Sequence, residues 1–176
     1  MMPDGRKVTL TRYQEFKGPH ELDQSPTSSD YWFEFENPDT KRTIRWESDR
    51  DLQPKALSIS GGVPELLASP NYGGVFRYKC PEPPYVGFRY MGEKWARISL
   101  MQLTSKIVPP NVTSSGADAR RALRSGRAHL TVADQRRILP YEWRRKVIDL
   151  SGLTEQNFGR CDRRFNYMLR EAGDEK

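Results

Sequence analysis

The sequence predicts an α+β domain: an antiparallel β-sandwich or partial barrel built from sequential hairpins, with C-terminal α-helices packed on it. Three observations lead there. Through the first hundred positions, turn residues recur between short runs of alternating apolar and polar residues, the pattern of neighbouring antiparallel strands. Thirteen prolines and thirteen glycines in 176 residues favour short strands and turns over long helices. After Met101 the pattern changes to Arg-rich stretches with helical spacing. The expected organisation is an antiparallel β-rich core over residues 1–104, a linker over 105–116 containing Pro109-Pro110, and an Arg-rich helical appendage over 117–176 docked on the same domain.

Each element has its own signal. Residues 6–16 alternate as a strand, with Val8 and Leu10 on one face and Thr9, Thr11 and Tyr13 on the other. Residues 17–29 form a polar loop. Residues 31–47 form a hairpin around Asn37-Pro38-Asp39, with Pro at the second position of a type I turn. A four-residue loop there makes Phe33 face Ile44 and Tyr31 face Trp46, and sets Trp32 opposite Arg45 on the other side. The hairpin over 55–69 turns on Gly61-Gly62, where glycine supplies the positive φ that tight hairpin turns need. Its register pairs Ser60 with Val63 and Leu57 with Leu66, and gathers Leu57, Ile59, Pro64 and Leu66 on one face. Pro64 cannot donate a hydrogen bond, so it belongs at an edge or a bulge. A turn at 71–74 leads into a short strand at 75–80. The hairpin over 84–100 turns on Gly92-Glu93 and pairs Tyr90 with Trp95, an aromatic contact worth about 0.2–1 kcal/mol over alanines. Eight strands result. Helices are expected at 117–125, 132–139, 141–150 and 154–172. The last of these places Phe158, Cys161, Phe165, Met168 and Leu169 on one face.

The formal net charge of +6 is unevenly spread. Residues 1–105 hold 14 basic and 14 acidic side chains; residues 106–176 hold 15 and 9, with most of the bases arginine. Arg120, Arg121, Arg124, Arg127, Arg136, Arg137, Arg144 and Arg145 are candidate contacts to the phosphates of nucleic acid or of an anionic lipid surface. The competing reading is a solvated face whose arginines pair with acids of the neutral β-region. Trp32 and Arg45 form a candidate recognition surface, a cation stacked on an indole, or else a second core face beneath the helices.

Catalysis finds no candidate residues. The two histidines, His20 and His129, are far apart, and no nucleophile-elbow, zincin, P-loop or dinucleotide motif occurs. Glu34 and Glu36 have the spacing of the wet face of a strand. No zinc is expected, because the cysteines and histidines do not cluster, and no other metal, cofactor or small-molecule ligand is expected. Cys80 and Cys161 form one disulfide in an oxidising compartment, or remain two unpaired thiols. No apolar run reaches the length of a membrane span. Nothing near Met1 reads as a secretory leader, which fits a cytoplasmic protein or one whose leader has been removed.

Two stretches carry a family resemblance: IRWESDRDLQPKALSISGGVPELLASP (residues 44–70) and YKCPEPPYVGFRYMGEKWARISLMQL (residues 78–103). A Trp-acid pair is followed by a Pro-containing hairpin with a Gly turn, then a Pro-Pro-Tyr hairpin closing in Trp-x-Arg-Ile. This ordered set resembles an uncharacterised family of small β-rich lipoproteins or exported proteins of proteobacteria. The resemblance implies a periplasmic or outer-membrane-associated location with the leader removed, and carries over no functional residue. The expected function is a non-enzymatic protein-interaction module of the bacterial cell envelope. The alternative is a nucleic-acid- or anionic-surface-binding protein acting through the Arg-rich helices.

Overall fold

The computed structural model describes residues 5–17, 27–49, 51–71, 74–108, 111–112 and 148–158. Strands dominate it. β1 (Thr11–Lys17), β2 (Thr27–Glu36) and β3 (Thr43–Asp49) form one antiparallel sheet in that order. β4 (Leu52–Ser60), β5 (Val63–Pro70), β6 (Val86–Met91) and β7 (Lys94–Ile98) form a second, also in sequence order. Neither closes into a barrel. A two-stranded pair, β8 (Ile107–Val108) with β9 (Ile148–Asp149), joins the middle of the chain to its later part.

Alternation explains the shared core. Phe33, Phe35, Ile44 and Trp46 point inward from β2 and β3, and pack with Leu52, Leu57, Ile59, Leu66, Ala68 and Val86 of the larger sheet. Burying one such side chain is worth about 1.5–3 kcal/mol. Trp46 meets Phe88 edge-on at 6.3 Å between ring centres, and the Trp95 indole N–H donates to the Arg45 carbonyl at 2.8 Å. The sheets are therefore tied by apolar contact and by a directional bond.

A bulge in β4 keeps that core continuous. Pro54 pairs with Ala68 but Ala56 with Leu67, so Lys55 is the extra residue. One inserted residue reverses the in–out parity of a strand. Leu52 before the bulge and Leu57 after it thus reach the same core, while Ala56 turns to the opposite side. The Lys55 carbonyl accepts from the backbone N–H groups of Asn111 and Val112, at 3.0 and 3.2 Å. Next to it, Asn111 imitates a strand with its side chain: its amide donates to the Leu57 carbonyl and accepts from the Leu57 N–H, both at 2.8 Å. The outer edge of β4 is closed in this way.

The larger sheet is covered on its other face too. Ala56 and Leu67 pack with Leu100, Leu103, Ile148 and Leu150, joined by Tyr85, Ile98 and Leu153. Residues 148–158 act as a strap held by β9, by Gln156 donating to the Tyr85 carbonyl at 2.9 Å, and by reciprocal backbone bonds between Glu82 and Asn157. On this side lies Glu65, whose side chain is 1% exposed. It accepts from Arg89 Nε at 2.9 Å, Arg89 Nη2 at 2.6 Å, Thr104 N–H at 2.8 Å and Thr104 hydroxyl at 2.9 Å. Arg89 also donates to the Gln102 carbonyl. A buried carboxylate is tolerated when its lone pairs are filled in this manner.

Two hairpin registers match the expectation: Ser60 pairs with Val63 and Leu57 with Leu66, and Tyr90 pairs with Trp95 at 5.4 Å. Pro64 lies just beyond the β5–β6 ladder, which begins at Glu65, so its missing N–H is not needed. The first hairpin differs. Phe33 pairs with Trp46 and Phe35 with Ile44, two residues away from the expected register. The loop is longer because the Asn37 side chain accepts from the Asp39 N–H at 3.0 Å and Lys41 takes a left-handed φ of 59°. Asn37 also donates to the Gly62 carbonyl at 2.7 Å, joining two hairpin tips.

Residues 75–80 are not a strand. α1 (Gly74–Arg77) is one helical turn, started by Asn71, whose side chain accepts from the Gly74 N–H at 3.1 Å. A Cβ on Gly74 would fall 2.0 Å from the Asp51 carbonyl oxygen, so only glycine fits there. Of the stretch expected as a linker, Ile107–Val108 and Asn111–Val112 are built into the fold. The expected C-terminal helices find no support. Ile148–Asp149 is a strand and residues 154–158 are not helical: the Leu150 N–H bonds to the Lys106 carbonyl and the Asn157 N–H to the Glu82 carbonyl. The other parts of those four expected helices lie outside the described residues. Among the described residues no helix is long and apolar enough to cross a membrane.

Candidate recognition surface

The outward face of the three-stranded sheet is where the anticipated recognition residues come together. Alternation points Trp32, Glu34 and Glu36 of β2, and Thr43, Arg45 and Glu47 of β3, away from the core. From β1 the same rule points out Thr11 and Tyr13, continued by the exposed Lys7 and Thr9, while Val8 and Leu10 pack on the core. The sequence reading had this alternation in β1 but not its position beside β2.

These side chains form a stacked row. Tyr13 pairs directly with Trp32, with ring centres 5.5 Å apart and planes 15° from parallel. On the strand at the other side, the Arg45 guanidinium carbon stands 4.3 Å from the Trp32 ring centre. Trp32 is not opposite Arg45 as the four-residue loop implied: it pairs with Glu47, and Arg45 pairs with Glu34. Arg45 reaches the indole diagonally, within the reach of a long side chain. Glu47 holds the guanidinium at 2.5 Å. The indole is thus sandwiched between a phenol and a cation, on an exposed face and with no helix above it among the described residues. Glu34, Glu36 and Glu47 stand on the same face, with Glu47 paired to Arg45 and Glu36 3.9 Å from the Lys41 ammonium. A second arginine stack lies at the far end of the larger sheet, where Arg97 stands 5.5 Å from the Tyr78 ring and 5.4 Å from Phe158. Phe158 is exposed, not on the buried face of a helix.

Cys80 is buried and disulfide-bonded. Cys161 lies outside the described residues, as do Arg120, Arg121, Arg124, Arg127, Arg136, Arg137, Arg144, Arg145, His20 and His129. Among the described residues no group of three or more His, Cys, Asp or Glu could hold a metal ion. Burial raises the Tyr85 phenol above its ordinary range. Asp149 is lowered by the Ser151 hydroxyl and then by the Ser151 N–H, which bond it at 2.6 and 2.9 Å.

Sequence reasoning missed Tyr13 as a site residue and Glu65 as a buried anchor. For Tyr13 the signal was present, a lone aromatic on an otherwise threonine face. For Glu65 it was hidden, since its partners Arg89 and Thr104 lie 24 and 39 residues away. Comparison with protein families, with curated proteins and with solved structures finds no match to this chain.

Proposed function

We propose that the protein is a non-enzymatic interaction module of the bacterial cell envelope that engages a protein partner through the outer face of its three-stranded sheet. The observation that carries this reading is the Tyr13–Trp32–Arg45 row on the outward face of the sheet, with Tyr13 and Arg45 exposed and Trp32 half-buried between them. Aromatic side chains and arginine are the residue types that dominate protein interfaces.

The envelope part of the proposal rests on Cys80. A structural disulfide belongs to an oxidising compartment. The sequence offers one other cysteine, Cys161. We therefore assign Cys80 and Cys161 to one bond. Intact mass with and without reductant checks this: two free thiols after export to the periplasm would refute it.

The partner reading is tested by capture with the full-length protein at low and high salt, beside Trp32→Ala and Arg45→Ala. A defined protein retained at high salt and lost with either substitution supports it. Nucleic acid or anionic lipid recovered only at low salt, and unaffected by either substitution, would move the function to the Arg-rich C-terminal third.

A further inference from the structure

The stacked row ends at Tyr13, and it ends at a sheet edge. Among the described residues no strand lies beyond β1, and residues 7–10, which continue its in–out alternation, pair with no strand. Trp32 covers one face of the Tyr13 ring; the other looks along the sheet toward that edge, and the residue is 47% exposed. We propose that β1 pairs with β1 of a second copy of this chain, antiparallel about a twofold axis at Thr11, so that two three-stranded sheets become one of six strands.

The row itself selects this register. Arg45 reaches Trp32 on a diagonal, two positions before Glu47, the residue directly across from the indole. With Thr11 opposite Thr11 of the second copy, Tyr13 faces Thr9 of the second copy. Lys7 of the second copy, two positions before that threonine, then takes the same diagonal to the open face of Tyr13. Lys7 is exposed and on the outward row. The stack becomes Lys7, Tyr13, Trp32, Arg45, with aromatic rings inside and a cation at each end, and the twofold forms it twice. Thr9, Thr11 and Tyr13 carry no charge, so the strand centre meets its copy without repulsion. Moving the axis to Arg12 would set two guanidinium groups directly across from each other, which is unfavourable. Moving it to Tyr13 would remove Lys7 from reach.

This pairing is independent of the partner reading. A monomer that still captures a partner would overturn the pairing alone; a dimer that captures none would overturn the partner reading alone. The test uses the full-length chain. In sedimentation velocity the wild type is expected to pass from monomer to dimer as concentration rises into the high micromolar range, with Lys7→Glu weakening the dimer about tenfold or more. Residues directly across an antiparallel pair lie within disulfide range. Under mild oxidation Thr11→Cys is therefore expected to give a covalent dimer. Lys7→Cys should not, because its copy lies about 26 Å away, eight residues along the strand. Circular dichroism confirms that each variant is folded. A wild type that stays monomeric throughout, or a Thr11→Cys variant that cross-links no faster than Lys7→Cys, would overturn the proposal.

Discussion

The two sheets treat their outer faces in opposite ways. In the four-stranded sheet, six consecutive residues of β4 are buried, because a strap of later chain covers the side turned away from the core. In the three-stranded sheet, burial alternates strictly from Trp32 to Glu36 and from Thr43 to Glu47, and the outer side carries a row of rings and charges. One core face each would suffice for folding. The difference separates a face that the protein consumes for its own stability from one that no described element covers.

Five substitutions sharpen that contrast. The largest effect is expected at Glu65. Glu65→Ala strands the Arg89 charge against the covered face and should cost about 3–5 kcal/mol in denaturant unfolding. The matching change on the open face, Glu47→Ala, removes only an exposed partner of Arg45 and should cost about 1 kcal/mol or less. Equal losses would mean that the two faces are not different in kind. Next comes Asn111→Ala, which orphans both backbone groups of Leu57; a loss of about 2–4 kcal/mol is expected by the same measurement. The smallest effects are in pH. Asp149 has a depressed pKa, so the stability it contributes is present above the ordinary carboxylate value and fades as pH falls through the lower folded value. Tyr85 has a raised pKa, so its contribution is complete below the ordinary phenol value and fades as pH rises through the higher folded one. Tyr85 packs on the covered side, and Asp149 sits on the outer side of the strap that covers it. Melting curves across pH should lose the difference between wild type and Asp149→Asn at acid pH, and that between wild type and Tyr85→Phe only at alkaline pH.

What could be read from the sequence depended on how local its cause was. The Gly61-Gly62 and Gly92-Glu93 turns fix register by backbone geometry alone, and both hairpins follow them. The Asn37–Arg42 loop depends on a side chain that caps its own turn while reaching across to Gly62, so counting residues between apolar runs gave the wrong register by two. An even error preserves faces, which is why Trp32 and Arg45 still emerged on the outer side. The strap failed for the opposite reason. Ile148 and Leu150 close a stretch of helical spacing, yet Leu150 bonds to Lys106 and Asn157 to Glu82, partners more than forty residues away that no local pattern announces.

That strap also imposes an order of events on the ribosome. Ala56, Leu67, Leu100 and Leu103 are translated long before Ile148, Leu150 and Leu153, which cover them. About 45 residues separate Leu103 from Ile148, roughly 2–9 seconds of synthesis at about 5–20 residues per second. Throughout that interval the nascent larger sheet lacks the Ile148, Leu150 and Leu153 side chains that complete this flank. Its safe passage depends on whatever shields an emerging chain, and a stalled or truncated product ending before residue 148 is a substrate for chaperones or for aggregation.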